Sequence, residues 1–282
     1  MSPLTPYPTP VHLTCPHCGQ RYSHDTMLSG NTCYATFYSD RCFDASMWYE
    51  EVVIIQCFRC KRFVWVRNMK EYVPQRGIRR FMLEFVDFLC LGLSVFVPKT
   101  KPLTLQKLVE ALASNVAEDR ADERYLRFSL WHLFNDRVRN KWFEFKRTPE
   151  AKALKLWKNE EEKRLWNENL RSLFDLLDVS EANDRLVQAE ICREQGEFDR
   201  AVEILDGITA TPEYRTEVRI RARAIRRRCQ DHDPFVFVTD GTESSIGHSI
   251  LALVAIVIFL VVCLWTFEPT FDFFNWLFGN EI

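Results

Sequence analysis

The sequence predicts an α+β protein: a small β region at the N-terminus, a mainly α-helical, repeat-like middle domain and one C-terminal transmembrane helix. Three observations carry that expectation. Two Cys-x-x-Cys pairs, Cys15/Cys18 and Cys57/Cys60, lie in short β-prone surroundings, the second between "EVVII" and "RFVWV". From about residue 103 to residue 230 apolar side chains recur at helical spacing, and glycine is scarce, 9 in 282 residues. Near the C-terminus, Ile250–Phe267 is an apolar run of 18 residues broken only by Thr266.

Composition narrows the classes. A net charge of −2 supplies no general field to attract nucleic acid, and 47% hydrophobic residues is too many for a solvated, disordered chain. Of the 10 cysteines, six precede residue 61 and four are isolated in apolar or helical contexts, which is not the pattern of a disulfide scaffold. The opening "MSPLTPYPTPVH" has neither a basic region nor an apolar core of a signal peptide, so residues 1–12 are expected to be an extended leader. The body then sits in a reducing cytosol, where paired Cys-x-x-Cys reads as metal before disulfide.

Residues 13–72 have the plan of a zinc ribbon. A Cys-x-x-Cys turn lets two thiolates converge on one ion at about 2.3 Å. The glycine after Cys18 frees the backbone to turn sharply, so that amides can approach the sulfurs. Two such knuckles, each expected on a β-hairpin, would hold one structural Zn(II) through Cys15, Cys18, Cys57 and Cys60. The redox reading needs a βαβ context that this region lacks. Four thiolates fill a tetrahedral site, so Cys33, Cys42, His12, His17 and His24 are expected to stand outside it.

The order "CPHCG", "LSGNT", "ATFYSD" and a closing Cys-x-x-Cys with "FVWV", over residues 13–68, resembles an uncharacterised bacterial zinc-ribbon family. The resemblance implies one metal-holding ribbon with a Ser-Gly-Asn-Thr segment and a Ser-Asp pair between its knuckles. It implies no activity. Gly30-Asn31 suits a tight turn.

Residues 73–230 are expected to be helical. Leu105, Leu108, Val109, Leu112 and Val116 form one stripe, and "ERYLRFSLWHLFNDRVRNKWFEF" reads as a long aromatic helix. Thr148-Pro149-Glu150 starts another, with threonine as cap and proline in the first turn, running to about Leu177. Its Glu160–Glu162 run reads as a solvated face. At about 182–208, Ala189, Gly196, Phe198, Ala201 and Leu205 fall where a tetratricopeptide-like helix pair needs small, small, aromatic, small and large residues, although Arg185 replaces an aromatic. No second copy is evident.

Residues 231–248 read as a linker, 249–267 as a spanning helix and 268–282 as a short aromatic tail. Eighteen residues make about 27 Å of helix, close to the hydrocarbon thickness. Six arginines between Arg219 and Arg228 precede the run, whereas the tail is acidic, with no basic residue. That asymmetry predicts a single-pass protein of a cell membrane, as in a bacterial inner membrane, with a cytosolic body and an outside tail. A second apolar stretch, Phe81–Pro98, contains Glu84 and Asp87 and reads as a core helix, with an interfacial helix as the alternative.

No recognisable catalytic motif is present, and His132 with Asp136 reads as a helix-surface pair rather than an acid–base couple. The expected function is therefore that of a membrane-anchored adaptor or scaffold for protein–protein interaction. The alternative is a tethered nucleic-acid-binding or regulatory ribbon, using the basic run at 61–80 with Phe63, Trp65 and Tyr72 as stacking partners.

Overall fold

The structure, a computed structural model, describes residues 9–26, 35–45, 51–72, 97–139, 149–209 and 216–239. Strand β1 (Thr9–Thr14) takes in residues 9–12 of the expected leader and pairs antiparallel with β2 (Arg21–Thr26). Thr14 faces Arg21, which puts Cys15 and Cys18 in the hairpin loop. Strands β3 (Thr36–Phe37) and β4 (Phe43–Asp44) make a small ladder of their own. A further hairpin, β5 (Ile54–Gln56) with β6 (Phe63–Trp65), carries Cys57 and Cys60 in its loop. Strand β7 (Lys70–Glu71) closes the other edge of β1, giving the order β2-β1-β7.

Helices follow: α1 (Leu105–Ala113), α2 (Arg120–Asn135), α3 (Pro149–Leu156), α4 (Glu160–Asp175), α5 (Ala182–Glu194), α6 (Phe198–Thr209) and α7 (Thr216–Gln230). The expected stripe packs inward, with Leu108 buried and Leu105, Val109 and Leu112 against the core on α1, and Val116 packed there just past the helix end. The long helix expected from Pro149 to Leu177 is two helices instead. Asn159 ends the first by capping α4, its Oδ1 accepting from the Glu162 N–H at 2.8 Å. Glu162 reaches back to the Lys158 N–H at 2.9 Å and takes a forked contact from Arg137, so it is not part of a solvated face.

Residues Met1–Phe237 form one compact unit, and the β region shares its core with the helices. Ile54 and Trp65 are buried among Leu126, Leu130, Phe134 and Leu173, and the Trp65 indole N–H donates to the Val116 carbonyl at 2.9 Å. Arg67 forks onto Asp122 at 2.6 Å through both nitrogens and also reaches Glu118. Burial of an indole with its one donor satisfied is a strong seat for the hairpin.

Helices α5 and α6 pack closely against each other. Ala189, Ala201 and Leu205 are fully buried where α5 and α6 approach, and Gly196 turns the chain at φ +81. Arg185, at the aromatic position, lays its guanidinium over Gly207 and donates to the Ile204 carbonyl at 3.3 Å. Helix α7 covers the pair with Val218, Ala222, Ile225 and Cys229. No helix among the described residues is long and apolar enough to cross a membrane. The run Ile250–Phe267, the tail and residues 81–96 lie outside the described residues.

Composition gave no hint of a buried ionic seam joining the two parts. Asp40, fully buried, accepts from Arg139 at 3.2 and 2.5 Å and from the Asn135 amide at 2.9 Å. Asn135 also donates to Glu194, which takes the Trp131 indole N–H at 2.7 Å. Arg193 forks onto Glu190 at 2.9 and 2.6 Å and donates to the Asp233 carbonyl. Burial, then the Glu190 charge, raise the Glu194 carboxyl well above its ordinary value; Asp40 adds to this and Arg193 opposes it.

A raised carboxyl binds its proton more tightly in the folded chain. Its contribution is fully present below the ordinary carboxylate value, about 4.3, and is lost as pH rises toward the folded value. Glu194→Gln is therefore expected to gain stability over wild type as pH goes from 5 to 8. The difference between their urea midpoints at each pH isolates this group; a pH-independent difference would contradict the assignment.

Candidate metal centre

Both knuckles use the same backbone solution. In the first, the Cys15 N–H donates to the Gln20 carbonyl at 2.8 Å and the Gly19 N–H to the Cys15 carbonyl at 3.0 Å. In the second, the Cys57 N–H donates to the Arg62 carbonyl and the Lys61 N–H to the Cys57 carbonyl, both at 2.8 Å. The residue after each second cysteine is left-handed, Gly19 at φ +72 and Lys61 at φ +60. Lysine accepts there a conformation that costs an L-residue roughly 1–2 kcal/mol, so the turn is imposed by the knuckle and not by local preference.

These turns bring the four sulfurs together. All lie within 4.8 Å of one another, with Cys15 Sγ 4.0 Å from Cys60 Sγ and Cys18 Sγ 3.6 Å from Cys57 Sγ. Ligands at about 2.3 Å on a tetrahedron stand about 3.8 Å apart, so the spacing fits one ion of zinc's size. It is far from the roughly 2.05 Å of a disulfide, and all four thiols are unpaired. The alternation of buried Cys15 and Cys57 with half-buried Cys18 and Cys60 leaves each knuckle one sulfur in the core and one toward the rim.

The thiols differ in proton affinity. Burial pushes the Cys15 thiol up to about 12. At Cys57 burial acts the same way, but the Cys60 N–H, the Tyr22 hydroxyl and the Arg59 N–H outweigh it and bring the thiol down to about 6. At Cys60 the Arg62 N–H and the Cys15 sulfur favour the thiolate, yet burial and the Cys57 and Cys18 sulfurs raise it. One sulfur is thus prepared as a thiolate while others must release protons to a metal, which ties affinity to pH.

The sequence does not single out Tyr22. Its hydroxyl accepts the Phe58 N–H at 2.9 Å and supports Cys57, joining β2 to the opposite knuckle. Its ring meets Phe58 edge-on at 6.0 Å. The only signal in the sequence is an aromatic four residues after Cys18, too common to select it.

The other candidates are engaged elsewhere. His24 is buried and bonded to Thr100 at 3.0 Å and Glu51 at 3.3 Å. His17 is exposed, with Arg62 at 3.3 Å from its Nδ1. Cys42 is half-buried, its N–H donating to Asp40 at 3.1 Å. Cys33 and the Gly30-Asn31 turn lie outside the described residues. His132 bonds the Asp40 carbonyl at 3.0 Å, and Asp136 pairs with Arg139, so the two do not act as a couple with each other.

The tetracysteine cluster is zinc-ribbon-like in its geometry. No family model matches the chain, and neither a curated protein nor a solved structure is similar enough to count as a match.

Proposed function

We propose that this protein is a membrane-anchored adaptor: a cytosolic body stapled by one structural zinc ion, binding protein partners through its helical surface and held by the run at 250–267. The closed set of four sulfurs supports a structural role for the metal. A catalytic zinc keeps a position for water or substrate, whereas a tetrahedral four-thiolate site has none. The soft donor set suits zinc among common divalent ions. The helix pair α5–α6, backed by α7, supplies the kind of surface on which such pairs hold partners.

The nucleic-acid alternative loses support from the fate of its side chains. Trp65 is buried, Phe63 is packed against the core, and Arg67 is committed to Asp122 and Glu118. Arg59 and Arg62 sit at the knuckles, Arg59 donating to the Cys18 carbonyl at 3.5 Å. There they offset a zinc–tetrathiolate group that is formally dianionic.

The test uses the full chain in its native membrane. A photoreactive residue at Val179, 69% exposed beside α5, is expected to cross-link one discrete protein. An Asn280→Cys variant is expected to label with an impermeant maleimide from the outside only. Adducts to nucleic acid would replace this reading with the alternative, and labelling from the cytosolic side would reverse the orientation.

A further inference from the structure

We infer that the outer face of α7 is a docking surface for anionic lipid headgroups. The six arginines of this helix divide into two sets. Arg226 pairs with Asp206, Arg228 with Asp233, and Arg221 lies over the Phe37 ring at 6.0 Å. Arg219, Arg223 and Arg227 have no side-chain partner among the described residues, and the last two are exposed. At about 100° and 1.5 Å per residue, these three fall within about 80° of one another along about 12 Å of helix. They form a ridge whose centre stands about 130° around the helix from that of the buried Val218, Ala222, Ile225 and Cys229.

Ile220 stands at the edge of that ridge, 51% exposed. An apolar side chain beside unpaired arginines gains nothing from a phosphate strand. It does gain from the boundary between headgroups and acyl chains. Chain length makes the contact reachable. From buried Phe237 to Ile250 there are 13 residues, which span at most about 45 Å when extended. The inference rests on reading 250–267 as a spanning helix, and it adds a second attachment: the body lies on the leaflet instead of swinging from its anchor. Each basic residue at an anionic surface is worth about a factor of five in association, so three give about a hundredfold.

The experiment reconstitutes the full chain in vesicles of phosphatidylcholine, with or without one quarter phosphatidylglycerol, carrying photoreactive benzoylphenylalanine at Ile220. Lipid adducts at 220 are expected only with phosphatidylglycerol. High salt and the triple variant Arg219→Ser, Arg223→Ser, Arg227→Ser are both expected to abolish them. The same probe at Val179 is the control for random collision. Equal adducts in both vesicles, or adducts that survive in the triple variant, would overturn the surface, as would RNA capturing the probe in competition. Carbonate extraction separates this from the anchor. A chain that is stripped by carbonate yet gives phosphatidylglycerol-dependent adducts disproves the spanning helix and supports the surface.

Discussion

Replacing Cys57 by serine is expected to take the purified chain from one bound zinc ion to none and to unfold the β region around it. Cys57 is fully buried, and it belongs to a small core with Leu13, Cys15, Tyr22, Val52, Ile55, Val64 and Met69. So few apolar side chains cannot hold short strands by themselves. Modules of this size commonly need a metal or disulfides. Structural zinc contributes on the order of 10–16 kcal/mol at neutral pH in small zinc-folded peptides, comparable with a typical domain's whole stability. A serine hydroxyl keeps its proton where the thiol gives it up, so the substituted side chain cannot complete the tetrahedron. It also leaves the Tyr22 hydroxyl and the Cys60 and Arg59 N–H groups without the anion they stabilise. Elemental analysis per chain and amide exchange of β1, β2, β5 and β6 check this. Cys42→Ser, outside the cluster, should keep one zinc and normal protection. One zinc retained in Cys57→Ser, with exchange unchanged, would show that the ligand set is wrong.

The fold and the site are legible in the sequence to different depths, for physical reasons. Zinc-type ligation is a local constraint: each knuckle is closed by bonds within six residues, so its spacing survives as a written pattern. Small residues at Ala189 and Ala201 likewise mark a close helix approach, and Gly196 marks the left-handed turn between the two helices. The break between α3 and α4 is hidden because Leu154, Trp157, Leu165 and Trp166 carry the apolar period across it. Only the Asn159 cap, with Glu162 three residues on, betrays it. Trp65 and Arg67 read as surface groups because their partners, Val116 and Asp122, stand about fifty residues away. Ser39-Asp40 stands out in the sequence as a pair without a local reason. Its reason is long-range: Asp40 meets Arg139 across 99 positions, and the Ser39 hydroxyl accepts the Phe237 N–H across 198.

Asp40→Ala is the second large effect expected, about 3–5 kcal/mol of lost stability. The carboxylate is wholly buried and serves four donors: two nitrogens of Arg139, the Asn135 amide and the Cys42 N–H. Removing it strands a guanidinium that is itself only 8% exposed. Asp136 lies 2.8 Å from Arg139 Nε without forming a hydrogen bond to it, and Glu194 favours its neutral form, so neither replaces Asp40. The cost is that of an unpaired buried charge and not the net worth of the pair. Consequently the double variant Asp40→Ala, Arg139→Met should be more stable than Asp40→Ala alone, because both charges leave together and methionine fills most of the space. Urea midpoints of the wild type, both single variants and the double variant measure the coupling. A loss below about 1 kcal/mol for Asp40→Ala would mean that the seam relaxes onto water and does not join the β region to the helices. A double variant no better than the single would locate the loss in the Asn135 and Cys42 donors. With the expected coupling, Asp40 is the residue through which the segment between the two knuckles grips α2, and the zinc-held hairpins and the helices fold as one body.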